Sequence, residues 1–481
     1  MNSRKKILIV AGNISHLDQF VIHGFFKELA ETASIYLTLP EQDLGSERWI
    51  EMATHLDGVF TEVLPYTYSA RAKTAGYQLG AALTYRHRKL SKSYQVRILE
   101  SLFGGFGLPI KLSSLQSLKI MFKNRGEIFK RIVHEFPAMA RGTRLFFWIW
   151  SKFKTRQTNL GCSLGDTFKT VSADAVVILM QRQAGFVIAA IASGEKFKIP
   201  TLLIPYKWDN ASSKSPLIRT PTKMLVYNSA IKEVCAGLHK MSTAAVVAVG
   251  SVEIGKGKEV LLSGKSTVLP LIGATIDTSS ASVWLACISS LTRADTLMSK
   301  FGSLQLVWRP YPTSDKKNLN FMREFVLQHP RIELDKDISV GASHRSSKVS
   351  FAEAKDAYFR YISLLESASF VISEGTSVIV DARARGLAVI YPAFKQNAVV
   401  GSQWHRLNTS NHLKGLRETK GVFIAEDEEE LKRLVVDFLE NPRRIPPDNS
   451  GENIFVDERT YAQRVLDVID DAIAEKSKQR D

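Results

Sequence analysis

Nowhere does this chain carry about 18 uncharged apolar residues in succession, the length a spanning helix needs, so no membrane-crossing helix is expected. The most apolar run, Leu145 to Trp150, is far too short. Cysteine is scarce as well. Cys162, Cys235 and Cys287 are odd in number, distant from one another and never in a CxxC pair, which argues against a disulfide framework and for buried thiols in a reducing compartment. No DxD-like pair of carboxylates recurs at the end of a strand, so no metal is expected. The opening MNSRKK runs straight into the short strand from Ile7, which is too brief for the core of a secretory signal, and a cytoplasmic location is the expectation. Acidic residues are missing from one region in particular. Between Tyr85 and Leu160, sixteen Lys and Arg are opposed only by Glu100, Glu127 and Glu135, so most of the net charge of +16 is local.

What is present is ordinary for a folded protein: 45% hydrophobic and 23% charged residues over 481 positions, enough for two or three domains. Short apolar runs alternate with helix-like stretches. Ile7 to Ala11, Ser34 to Leu39 and Gly58 to Leu64 read as parallel strands. The rhythm resumes at Ala175 to Met180 and Pro200 to Pro205, then at Lys223 to Tyr227 and Ala245 to Val249. Gly255 to Lys265 reads as a linker. Beyond it, strands at Val268 to Ile272, Leu304 to Val307, Ser369 to Ser373 and Ala388 to Tyr391 alternate with helices that include Ala281 to Lys300, Asn318 to Gln328, Ala354 to Ser367 and Glu374 to Arg385. Gly341 to Ser350 reads as a polar loop. Such alternation predicts an α/β protein of two Rossmann-like domains facing each other across a cleft, residues 1–254 and 266–456, with a helix from 457 crossing back to the first. The segment 85–160 is expected to be a basic helical insertion in the first of them.

Ligands of open α/β sheets gather beyond the carboxyl ends of strands, which singles out four stretches. Arg309, Pro310, Tyr311 and Pro312 form a rigid turn that, with Lys316, offers fixed positive charge to a phosphate or diphosphate; the plainer reading is a solvated charge run. Glu374, Gly375, Thr376 and Ser377 open the helix that carries Asp381. Small residues there expose N–H groups suited to a phosphate, and Asp381 can accept from ribose hydroxyls, whereas the plainer reading is a simple helix cap. Trp208, Asp209, Asn210 and Lys214 gather stacking and hydrogen-bonding groups fit for a sugar or a base, or else make an Asx turn. His16 and Asp18 follow the first strand and can supply a base with its orienting carboxylate, although a loop histidine is often merely solvated.

Taken in order, the strand leading to WDN-x3-K, the stretch KMLVYNSAIKEVCAGLH ending at VGS, the Arg-Pro-x-Pro turn, the Ser-rich strand-to-helix junction and DARARGLAVIYP resemble bacterial surface-polysaccharide GT-B glycosyltransferases and their CDP-glycerol glycerophosphotransferase relatives. The likeness runs from about Asp174 to Pro442. It implies a metal-independent glycosyltransferase that moves a sugar from a nucleotide-sugar co-substrate to a glycan or lipid-linked acceptor. It also implies a nucleotide ribose on Asp381 and donor contacts at Arg309 to Pro312, where Tyr311 replaces the usual histidine. A CDP-polyol phosphotransferase, or a non-catalytic relative that only binds sugar nucleotide, remains open on the same fold. No cofactor and no nucleic-acid partner are expected.

The basic segment also carries Phe103, Phe106, Phe122, Phe129, Phe136 and the aromatic run at Leu145 to Trp150. Lys and Arg attract anionic headgroups at about 1 kcal/mol each, and aromatics insert beside them. A peripheral patch at the inner face of the cell membrane is one reading. An insertion whose aromatics fill the first domain's core is the other.

Overall fold

A computed structural model describes residues 4–69, 162–180, 185–213, 217, 219–253, 271–275, 284–290, 306–310, 316–337, 349–397, 402–413, 415–447 and 457–478. The basic segment, the linker at Gly255 to Lys265, Lys214, Tyr311 and the side chain of Lys316 lie outside them, as does the loop Gly341 to Ser350 apart from its last two residues.

The first sheet is built from β1 (Lys5–Ala11), β2 (Ala33–Pro40), β3 (Phe60–Tyr66), β4 (Ala175–Met180), β5 (Thr201–Pro205), β6 (Lys223–Val226) and β7 (Val246–Ala248). The strands lie in the order β3-β2-β1-β4-β5-β6-β7, with every pairing parallel. β1 and β4 are apolar almost throughout because helices cover both faces. On one face Ile7, Ile9, Ile35 and Leu37 pack against α1 (Asp18–Ile22) and α2 (Phe25–Thr32). Gly24, at φ 71°, lets the backbone turn between these two helices. On the other face Leu8, Val10, Val176 and Ile178 meet α4 (Leu164–Val171), α5 (Gly185–Phe197) and α6 (Ser229–His239). Between β2 and β3 runs α3 (Glu47–Thr54), capped by Ser46. β3 reaches Tyr66, past Pro65, because an edge strand tolerates a residue without an N–H.

The second sheet comprises β8 (Leu271–Thr275), β9 (Leu306–Pro310), β10 (Ile332–Leu334), β11 (Phe370–Ser373), β12 (Ala388–Pro392) and β13 (Val422–Ala425), in the order β10-β9-β8-β11-β12-β13, again all parallel. Its faces are covered by residues 284–290, α7 (Lys316–Gln328) and α10 (Glu428–Glu440) on one side. On the other lie α8 (Phe351–Ser367) and α9 (Val378–Ala384). Both sheets thus have a switch point, between β1 and β4 and between β8 and β11, where the direction of winding reverses and a crevice opens.

Several helix starts differ from the sequence expectation, the last helix beginning at Tyr461 rather than 457 and the one expected at Asn318 beginning at Lys316, and two of the differences have a clear local reason. α8 begins at Phe351 rather than Ala354 because Ser350 accepts the N–H of Glu353, the first half of a capping box. α9 begins at Val378 rather than Glu374, because the preceding residues form a turn held by the Ser373–Thr376 hydroxyl pair at 2.9 Å.

The final helix, α11 (Tyr461–Lys478), follows the second sheet in sequence and packs on the first. Val465, Ile469 and Ala472 are fully buried beside Phe25, and Arg464 donates to the carbonyl of Val249 at 2.6 Å.

Candidate functional site

The carboxyl ends of β5 and β7 bring Lys207 and Glu253 into an ion pair, with the Glu253 N–H bonded to Ser251 Oγ at 3.1 Å. From the second half of the chain, Asp381 on α9 approaches this pair. Burial raises its carboxyl pKa, Glu253 raises it further, and Lys207 and Arg385 oppose the rise. Burial works against the Lys207 ammonium too, yet Glu253 and the neighbouring tyrosines outweigh it and the net shift is upward. Carboxylates from opposite halves therefore act electrostatically on one lysine, with which Glu253 alone forms the ion pair.

Tyr361 organises the second half of this cluster. Its hydroxyl donates to Asp381 Oδ2 at 2.8 Å, and the Arg309 guanidinium lies 4.5 Å above its ring. Arg309 and Asp381 therefore meet on one tyrosine. Asp381 Oδ1 accepts no hydrogen bond among the described residues, which leaves it open to a hydroxyl donor. Arg309 is already ion-paired with Asp335, so an incoming phosphate would share its charge. One turn earlier on α8, Tyr358 reaches the first half, where its hydroxyl and His23 Nε2 are 2.9 Å apart and the rings meet edge-on. Burial lowers the His23 pKa to about 4, so the imidazole is neutral at pH 7.

Glu374 is fully buried, with its oxygens accepting from Trp284 Nε1 at 3.2 Å and Gln403 Nε2 at 2.9 Å. It anchors the turn from beneath, and the sequence expectation of a donor contact there does not fit that burial. Gly375 belongs to the same packing: a Cβ on it would stand 3.0 Å from Leu413. Thr376 and Ser377 are half-buried at the switch point of the second sheet.

Trp208 also has a packing role. It is 3% exposed, inserts among Tyr361, Leu365, Ile379 and Tyr391 of the second half, and meets the His412 ring edge-on at 5.3 Å. It is a plug between the halves rather than a free stacking platform. Asn210, two positions on and buried, has no hydrogen-bond partner for its amide nitrogen among the described residues, and Asp209 is half-buried.

His16 and Asp18 sit at the switch point of the first sheet, but they do not form the expected hydrogen-bonded couple. Asp18 Oδ2 accepts from Arg48 at 2.5 Å and Oδ1 has no hydrogen-bond partner among the described residues, while the His16 ring lies 5.9 Å from that of Tyr206. Burial raises the Asp18 pKa to about 7 even against Arg48, in the range suited to a general base.

Tyr361, Tyr358, His23, Glu253 and Arg48 were not legible as site residues. Only the one-turn spacing of Tyr358 and Tyr361 on an apolar helix face hinted at them, and that spacing fits a core stripe equally well.

No protein-family model matches the chain, and no curated protein matches it. Solved structures do. A Listeria monocytogenes protein assigned as a UDP-N-acetylglucosamine 2-epimerase is 9% identical over 98% of both chains, with a TM-score of 0.50. MurG from Acinetobacter baumannii is 10% identical over 97% of this chain and 99% of its own, with a TM-score of 0.45. At such identity the Listeria likeness speaks for architecture alone, and together with the two parallel sheets it gives the chain a GT-B fold.

Proposed function

We propose that the chain is a metal-independent glycosyltransferase that moves a sugar from a nucleotide-sugar donor to a glycan or lipid-linked hydroxyl in surface-polysaccharide biosynthesis. The observation that supports it best is the convergence of Arg309, Tyr361 and Asp381 with Lys207 and Glu253 where the two halves meet. Asp381 Oδ1 accepts from the donor ribose, and the N–H groups of Thr376 and Ser377 face its phosphates. As the acceptor hydroxyl attacks the sugar carbon, its proton passes to the base beyond β1, for which Asp18 has the fitting pKa and His16 is the neighbouring alternative. The bond from that carbon to the diphosphate breaks, and its electron pair leaves on a diphosphate oxygen. Lys207, Arg385 and Arg309 balance that charge. The preference for a lipid-linked acceptor rests on the basic segment Tyr85 to Leu160.

One observation favours the non-catalytic reading: Arg309 and Lys207 both already have carboxylate partners, which suits holding a ligand better than stabilising a leaving group. A CDP-linked polyol is added to the donor panel to test the phosphotransferase reading. Thermal shift with UDP-, GDP-, dTDP- and CMP-linked donors should show one nucleotide stabilising the protein, by about 2.7 kcal/mol at a hundredfold excess over Kd. Asp381→Ala should abolish that shift. Product analysis of any hit with acceptor then decides: a new glycoside supports transfer, whereas a bound donor that is never consumed leaves binding alone. A sugar altered in configuration with no acceptor used would replace transfer by isomerisation. No stabilisation by any donor would remove the reading.

A further inference from the structure

Helix α3 grips the second half of the chain along one face. Arg48 is 2% exposed and its guanidinium forks: one nitrogen donates to Asp18 Oδ2 at 2.5 Å and the other to the carbonyl of Val349 at 2.9 Å. Glu51, one turn further on the same face, accepts the N–H groups of Phe351 and Ala352 at 2.7 and 2.8 Å, and so caps α8 from the other half. His55, another turn on, packs its ring 5.3 Å from that of Phe351. The head of α8 is thus held by α3, while its later turns carry Tyr358 to His23 and Tyr361 to Asp381.

The pair under this grip is unusual. Asp18 Oδ1 and Arg48 Nε are both buried without a hydrogen-bond partner among the described residues, and a buried charge pair with empty valences is costly. Around Asp18, Arg48 comes from α3, His16 from the turn before α1, and Tyr206 from the loop after β5, where it senses both Asp18 and Arg48. Among the described residues, the second half contributes the carbonyl of Val349 to the pair.

We propose that Arg48 is a positioning residue that ties the protonation of Asp18 to the closing of the gap between the two halves. With the halves together, Arg48 is divided between a carbonyl and a carboxylate and water is excluded. With them apart, Val349 leaves, water enters, and Asp18 ionises against an undivided, hydrated guanidinium. The closed form therefore favours the protonated carboxyl, and by linkage closure weakens as pH rises. Asp18 titrates near neutrality when closed, so the effect falls below about pH 7 and levels off above it. The coupling stands on these contacts together with the burial of Asp18; only its purpose, raising the basicity of Asp18 once a donor has closed the gap, rests on the transferase reading.

The test needs no ligand. Amide hydrogen exchange of the full chain is followed at Phe351 and Ala352 from pH 5 to 8, with rates corrected for intrinsic pH dependence. In the unaltered protein, protection should fall by up to tenfold per pH unit to about pH 7 and then level. Asp18→Asn should give a flat profile. Arg48→Lys, whose compact ammonium cannot fork between both acceptors, should lower protection and flatten the slope. Glu51→Gln should lower protection at every pH and keep the slope, which separates loss of the grip from loss of the coupling. Retention of the original slope in Asp18→Asn, or in Arg48→Lys, would overturn the proposal. So would a flat profile in the unaltered protein. Failure of every nucleotide donor in the thermal-shift panel would remove the transferase reading and leave this profile intact.

Discussion

Asp18 illustrates how a single carboxyl can weigh on the whole protein. Its ordinary pKa of 3.8 is raised to about 7 by burial, so between those values the folded form holds a proton that the unfolded form has released. Stability from this group is greatest at the acid end of that window and is lost as pH climbs through the folded value, by about 4 kcal/mol at 1.36 kcal/mol per pKa unit. Denaturant unfolding from pH 5 to 8 should show the part of that decline between pH 5 and 7, about 3 kcal/mol, and Asp18→Asn should remove it from the slope whatever it does to the absolute value. The sequence placed Asp18 correctly after the first strand but paired it with the wrong residue. His16 is near in sequence, whereas Arg48 arrives through the tertiary fold from α3. Trp208 was misread for a related reason. An aromatic beyond a strand looks the same whether it awaits a sugar or fills the other half's core, and only the packing of Tyr361 and Leu365 around it decides.

At the scale of elements the sequence was more informative, because period and composition are local properties. β1, β4 and β12 stand out as apolar runs too short for helices, and each forms a central strand. Boundaries slipped where side chains intervene: Ser350 starts α8 early, and the hydroxyl pair at Ser373 and Thr376 starts α9 late. α11 was legible from its length, and its burial against α2, β4 and β6 gives it a measurable share of stability. Ile469 is fully buried there, and Ile469→Ala should cost about 2–5 kcal/mol in equilibrium unfolding. A loss under 1 kcal/mol would mean that α11 adds little to the first half's core.

Over the whole molecule, the charge of +16 is concentrated where composition alone speaks, between Tyr85 and Leu160. Flotation with anionic and neutral liposomes should find the protein on the anionic vesicles, with binding that falls as salt rises. Equal absence from both would leave the aromatics of that segment as core rather than anchor. The convergence of Arg309, Tyr361 and Asp381 with Lys207 and Glu253 belongs to this scale too, and it was the least legible feature, since it joins residues more than a hundred positions apart.

The return of α11 to the first sheet means that the polypeptide bridges the two halves twice. Two connections restrict the relative motion of the halves more than one would. The same route sets an order of assembly. During translation the first half lacks one of its walls until residues near the end of the sequence have left the ribosome, and the second half is free to fold ahead of it.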